Sequence, residues 1–154
     1  MPILAALDEN ERSRKNAQIG YDLATAYDDT LIVLHVIPKE EYEAHKESIL
    51  SIPEHKSFPI SQEEESAKQF AERFVLGTLE DPDMEMIEAR GRVGDVTTEI
   101  LDVAGEIEPR YLVISGRRRS PAGKAVFGST AQQILLRAEC PVVSQFDEGE
   151  ETDD

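Results

Sequence analysis

The sequence of 154 residues has no tryptophan, a single cysteine and half as many basic as acidic residues, 16 against 32. Its one cysteine, Cys140, cannot form a disulfide within the chain, which excludes a disulfide-stabilised scaffold and is expected in a reducing cytoplasm. No apolar run approaches the roughly 20 residues of a membrane-spanning helix, and no basic region precedes the apolar start at residues 1–5 as it would in a signal peptide. We therefore expect a cytoplasmic protein with no membrane segment.

The shortage of basic residues leaves a formal net charge of −16. So negative a surface repels nucleic-acid phosphates, so general nucleic-acid binding is not expected. The acidic bias, with arginine more frequent than lysine, favours a protein that works in concentrated salt, where screening removes self-repulsion. The alternative is an ordinary acidic protein with an acidic tail, because residues 147–154 carry six carboxylates and are predicted to be disordered.

Short apolar runs alternate with segments of helical periodicity along residues 1–146. Continuous apolar runs are typical of strands buried on both faces of a parallel sheet. Five strands are predicted, of which the third is more mixed in polarity and is therefore expected near an edge: Ile3–Leu7, Leu31–Ile37, Met84–Arg90, Tyr111–Ser115 and Val142–Phe146. This alternation predicts one α/β domain over residues 1–146, with a five-stranded parallel sheet and helices on both faces.

Four helices are predicted between the strands: Glu11–Tyr27, one beginning at Ser61, Asp95–Ile107 and Gly128–Glu139. Ser61 and Glu64 have the spacing of a capping box, and Asp95 is expected to cap the helix that follows it. Residues 38–60 are predicted as a long irregular connection, in which Glu40–Leu50 is compatible with a short helix.

The segment after the fourth strand holds the densest group of cations in the chain. Ligands of open parallel sheets bind beyond the carboxyl ends of strands, and a helix N-terminus attracts phosphate. Gly128 lies at such a helix start, followed by the hydroxyls of Ser129 and Thr130, and four cations precede it: Arg117, Arg118, Arg119 and Lys124. The pattern indicates an anion site, most naturally for a polyphosphate. It is equally consistent with a capped helix whose neighbouring arginines pair with surface carboxylates.

Several other sites are disfavoured by the sequence. Gly123-Lys124 is followed by Ala125, so the segment is not a P-loop. Asp8 and Glu9 could form the acidic pair of a phosphorylated receiver domain, but the predicted third strand ends at Ala89-Arg90-Gly91 with no aspartate. His45 and His55 have no cysteine near them, so no metal site is expected. His35, inside a buried strand, is interpreted as a core or crevice-wall histidine.

Five short segments, in this order and spacing, resemble the universal stress protein family over residues 2–146: Ile3–Asp8, Val33–Ile37, Leu112–Gly116, Gly128-Ser129 and Cys140–Val143. The resemblance implies the adenine-nucleotide α-hydrolase-like fold, with strand order 3-2-1-4-5. It also implies a ligand crevice between the first and fourth strands.

The resemblance further implies a site for ATP or another adenine nucleotide, accompanied by magnesium. Asp8 and the backbone of Val36 match positions that contact the adenine or ribose end. Gly116, Gly128 and Ser129 match a loop of the form Gly-x2-Gly-x9-Gly-(Ser/Thr) around the ribose and phosphates, with Thr130 just beyond. Arg119 stands at the second glycine position, and the interval from Gly116 to Gly128 is one residue short. Arginine lacks the conformational freedom of glycine, but it offers a charged fork to phosphates.

Two functions stay open on this evidence. The first is a nucleotide-binding regulatory protein of stress adaptation, which the resemblance implies to be a homodimer through its fifth strand. No residue is an evident base for efficient ATP hydrolysis. The second is a family member without nucleotide binding that acts as a protein-interaction module, which the altered glycine loop favours.

Overall fold

The computed structural model describes residues 1–117 and 128–147. Its single sheet contains five parallel strands in the order β3-β2-β1-β4-β5, as predicted. The strands are β1 (Ile3–Leu7), β2 (Leu31–Pro38), β3 (Ile87–Gly94), β4 (Tyr111–Arg117) and β5 (Val142–Asp147). β2 and β3 lie on one side of β1, and β4 and β5 lie on its other side. The direction in which strands are added therefore reverses between β1 and β4.

The described residues form five α-helices around the sheet: α1 (Ser13–Tyr27), α2 (Lys39–Leu50), α3 (Ile60–Thr78), α4 (Val96–Ile107) and α5 (Ser129–Arg137). Because successive strand residues point to opposite faces, the central strands feed two cores. Ile3, Ala5 and Val33 pack with α1 and α3, whereas Leu4, Leu34 and neighbouring residues pack with α4 and α5. The short helix suggested within the long connection is confirmed as α2.

Two boundaries differ from the sequence prediction. Residues 84–86 form a 3-10 turn, which the Asp83 side chain caps by accepting from the amide of Glu85 at 3.1 Å. β3 therefore begins at Ile87 and runs to Gly94, in register with β2, and it lies at the sheet edge as expected. The capping box at Ser61 and Glu64 is wrong: α3 starts at Ile60 after Pro59, so Ser61 lies inside the first turn and cannot cap it.

The other termini agree with the sequence more closely. Asp95 caps α4, because its Oδ2 accepts from the amide of Thr98 at 3.0 Å. α1 begins two residues later than predicted, since the amide of Ser13 donates to the carbonyl of Asn10 in a preceding turn. β5 includes Asp147, the first residue of the predicted tail. The remainder of that tail, residues 148–154, lies outside the described residues.

Candidate functional site

A cavity of about 750 Å³ lies at the carboxyl ends of β1, β2 and β4. The first residues of α1, α4 and α5 also line it, so three helix N-termini border one space at the point where the strand order reverses. Six predicted site residues line this cavity: Asp8, Val36, Gly116, Gly128, Ser129 and Thr130. Of the predicted arginines, Arg117 is the last residue of β4, whereas Arg118 and Arg119 lie outside the described residues.

Asp8 is held by the turn that joins β1 to α1. Its Oδ1 accepts from the hydroxyl of Ser13 at 2.7 Å and from the amide of Asn10 at 2.8 Å. The amide of Asp8 in turn donates to Ser13 Oγ at 2.8 Å. Oδ1 already accepts two hydrogen bonds. Oδ2 of this half-exposed carboxylate is therefore the oxygen that can accept a hydrogen bond from a ligand hydroxyl.

The inner end of the cavity carries a polar pair that joins α1 to β4. The Nδ2 of Asn16, a residue only 1% exposed, donates to the carbonyl of Ala6 at 2.9 Å and to Ser115 Oγ at 3.3 Å. Because Ser115 Oγ accepts this bond, its own proton is left to donate to a group in the cavity. Asn16 Oδ1 is buried and has no hydrogen-bond partner among the described residues.

The wall on the α4 and α5 side is apolar. Buried side chains of β2, β4, α4 and α5 form it, namely Leu34, Val36, Ile100, Ile114 and Ile134. An apolar wall beside a few directed polar groups suits a ligand with a flat ring and polar substituents.

The N-terminus of α5 gives one end of the cavity a partial positive charge. Gly128 precedes the helix and provides no side-chain cap, and the first amides of a helix have no intrahelical partner. Such an end carries about half a positive charge. Ser129 and Thr130, both exposed, add hydroxyls in the first turn, and Ser129 Oγ lies 3.4 Å from Gln133 Nε2. This end of the cavity can therefore bind an anion.

The histidines and the cysteine take structural positions. His35 is 6% exposed, with Nδ1 at 2.9 Å from the carbonyl of Leu7 and its ring against Phe70, which confirms the interpretation of a crevice-wall histidine. His45 Nδ1 lies 2.6 Å from Oε2 of the buried Glu63. Burial raises the pKa of the Cys140 thiol. Within residues 1–117 and 128–147, no group of acidic, histidine or cysteine side chains could hold a metal ion, and no helix is long and apolar enough to cross a membrane.

Comparison with known proteins identifies the family. The sequence model of the universal stress protein family matches residues 1–144. The chain belongs to the universal stress protein family. A universal stress protein of Mycolicibacterium smegmatis is 41% identical over 58 residues, which are 37% of this chain and 45% of that protein. The matched segment thus spans less than half of that relative.

Solved universal stress proteins share the fold. The structure of the protein from Archaeoglobus fulgidus matches with a TM-score of 0.62 and 23% identity, covering 94% of this chain and 97% of that one. The protein from Lactobacillus plantarum matches with a TM-score of 0.64 and 16% identity, over the same shares of each chain. A further universal stress protein, solved in complex with cAMP, matches with a TM-score of 0.60 and 14% identity, covering 95% of this chain and 96% of that one.

In this universal stress protein, the sequence interpretation did not assign several polar cavity residues to the site, among them Arg12, Ser13, Glu41 and Ser115. It also missed Asn16 behind them. A signal for two of these exists in the sequence, because Ser13 and Asn16 each lie four residues before a small residue, Ala17 or Gly20, on the buried face of α1. Polar residues on the buried face of a helix indicate that this part of the face contacts polar groups or a cavity and not the apolar core.

Proposed function

We propose that this universal stress protein binds an adenine nucleotide in the cavity between β1 and β4 and uses it as a regulatory ligand in stress adaptation. One observation carries the proposal. A single cavity combines an apolar wall, the Oδ2 of Asp8, which accepts no hydrogen bond from a described residue, and the N-terminus of α5, which no described side chain caps. These groups complement, in turn, a base, a ribose hydroxyl and a phosphate.

The proposed pose follows from that complementarity. The base lies near Val36 and Asp8, and the phosphates lie near Gly116, Gly128, Ser129 and Thr130. The sequence further predicts that Arg117, Arg118 and Arg119 contact the phosphates. ATP is the first nucleotide to test. Magnesium in this proposal accompanies the phosphates, since the described residues offer no metal cluster of their own.

The proposal is tested by binding. Protein purified without added nucleotide is denatured, and the released ligand is identified by mass spectrometry. Calorimetry in molar potassium chloride then compares ATP, AMP, cAMP and adenosine. Because hydrogen bonds to charged groups contribute about 1.5–3 kcal/mol, Ser129→Ala should weaken ATP binding about 10-fold or more. Ser66→Ala, at an exposed position of α3, is the matched control. If no adenine nucleotide binds at millimolar concentration, the proposed function is wrong.

A second candidate is a protein-interaction module without a nucleotide. The observation that favours it is Arg119, which occupies a glycine position of the nucleotide loop implied by the family. Arg119→Gly discriminates between the two functions. If the wild type fails to bind any nucleotide and Arg119→Gly binds ATP, the site has lost its ligand and the interaction module is favoured.

We also propose that the protein is a homodimer through β5. This strand forms one edge of the sheet, and an uncovered strand edge offers unpaired backbone groups to a second copy. Light scattering in high salt should give twice the chain mass of 17.2 kDa. A monomer at micromolar concentration would contradict the dimer without affecting the nucleotide site.

A further inference from the structure

Arg12 stands apart among the charged residues of the cavity. The described lining contains three carboxylates, those of Asp8, Glu9 and Glu41, and Arg12 is the one cation there. Without Arg12 this part of the wall would repel an anion, since like charges raise the energy of a bound phosphate. The α1 side of the cavity therefore depends on one guanidinium for any attraction to an anionic ligand.

The hydrogen-bonding capacity of this guanidinium is unused. The Arg12 side chain is 21% exposed, and its nearest carboxylate oxygen, Asp8 Oδ2, lies 3.9 Å from Nη2. That distance is too long for a hydrogen bond, and no other acceptor bonds the guanidinium among the described residues. Among the described residues the guanidinium thus has only a long ion pair with Asp8. Its five N–H donors are therefore open to an acceptor on a ligand.

Three amides at the start of α1 cannot take the place of the side chain. The amides of Ser13, Arg14 and Lys15 donate to the carbonyls of residues 10, 11 and 12, at 3.0, 2.9 and 3.2 Å. These N–H groups are therefore occupied by the turn before the helix. At α5, in contrast, no side chain among the described residues caps the helix start. These three amides of α1 therefore contribute nothing to an anion, and Arg12 is the cationic side chain that can.

We propose that Arg12 binds the phosphate of the nucleotide that is nearest to the ribose. This inference rests on the proposed function, and it adds a contact on the α1 side of the cavity to the one at α5. Because Arg12 lies 3.9 Å from the Asp8 oxygen that accepts from the ribose, an anion bound by its guanidinium lies close to the sugar. The contribution of Arg12 is therefore complete in AMP and does not increase in ADP or ATP.

Calorimetry of Arg12→Ala tests this inference. Its affinity for AMP, ADP and ATP should each fall about 10-fold or more, the effect of a lost hydrogen bond to a charged group, whereas adenosine affinity should stay within about 2-fold. Arg14→Ala is the matched control, because Arg14 is exposed on the same helix and carries the same charge. It should bind all four ligands as the wild type does. If Arg12→Ala is unstable, Arg12→Gln replaces it in the test. Glutamine retains most of the side-chain length without the charge, so the same losses of affinity are expected.

Two results would overturn the inference. If Arg12→Ala loses as much affinity for adenosine as for AMP, Arg12 acts through Asp8 and not on the phosphate. If Arg12→Ala and Arg14→Ala lose the same affinity for AMP, only the overall charge of the protein matters. If the wild type binds no adenine nucleotide, the proposed function fails, and NMR titration with tripolyphosphate decides the role of Arg12 separately. A shift of the Arg12 Nε–H resonance that saturates supports an anion contact, and an unshifted resonance contradicts it.

Discussion

The Nδ2 of Asn16 and the Oγ of Ser115 lie 3.3 Å apart, although 99 residues separate them in the chain. Their hydrogen bond links α1 to β4 across the end of β1, where the same Nδ2 also donates to the Ala6 carbonyl. The cavity therefore has a polar inner end because two sequence-distant side chains meet there, each needing the other as a partner.

Asn16→Ala should lower the free energy of unfolding by about 1–3 kcal/mol, because it removes two hydrogen bonds and leaves the Ala6 carbonyl without its side-chain donor. Chemical denaturation of wild type and variant measures the difference. Gln18→Ala, an exposed amide-to-alanine change on the same helix, should change stability by less than about 0.5 kcal/mol. Equal effects of the two changes would contradict a structural role for the hydrogen bonds of Asn16 to Ala6 and Ser115.

Gly91→Ala should destabilise the fold, because α3 packs directly on this position of β3. A Cβ there would overlap the carbonyl of Glu64 and lie 2.5 Å from the amide nitrogen of Lys68. Backbone must shift to admit it, at a cost of about 1–3 kcal/mol.

Gly105→Ala is the matched control for Gly91→Ala. Nothing lies within 4 Å of its added Cβ, and alanine is the better helix former by about 0.5–1 kcal/mol. The melting temperature should therefore fall in Gly91→Ala and rise in Gly105→Ala. A Gly91→Ala protein as stable as the wild type would show that α3 does not pack this closely.

Asp29 should contribute acid-sensitive stability. The Arg110 guanidinium, whose Nε donates to Asp29 Oδ2 at 2.8 Å, holds the pKa of Asp29 below its ordinary value of 3.8. A lowered pKa means that the fold favours the ionised form, so this stabilisation is present at neutral pH and is lost as pH falls through the folded-state pKa.

Thermal melts of Asp29→Asn from pH 7 to pH 2.5 test this expectation. The variant should melt below the wild type at neutral pH, and the gap should narrow below about pH 3.8, where the wild type loses the ion pair. Asp28→Asn is the control with the same change of charge, and asparagine tolerates the positive φ of 60° at that position. A gap that stays constant with pH would contradict the assignment.

The melting temperature should rise from low salt to molar potassium chloride. A net charge of −16 produces self-repulsion in the folded state, and salt screens it. An uncharged osmolyte at matched osmolality serves as the control, because it stabilises without screening. A flat salt profile would mean that the acidic bias has another cause, such as a basic partner.

The sequence alone determined the architecture of this protein and much of its site. Strands such as Ile3–Leu7 are buried on both faces, so every residue must be apolar, and a helix start such as Asp95 needs a capping side chain within a few residues. These signals are local, and their order along the chain is enough to define a parallel sheet and the edge where the cavity lies. The positions of Asp8, Gly116 and Ser129 followed from that order.

The tertiary structure decided the rest, because the deciding contacts join residues that are distant in the chain. The start of β3 depends on pairing Leu31 with Ile87, which no property of residues 84–90 encodes. Arg12 could have been a surface arginine until the fold brought it into the cavity, 3.9 Å from Asp8 Oδ2 and without a hydrogen bond to any described residue. Periodicity indicates which face of a segment is buried, and only packing determines what each buried or half-buried polar group meets.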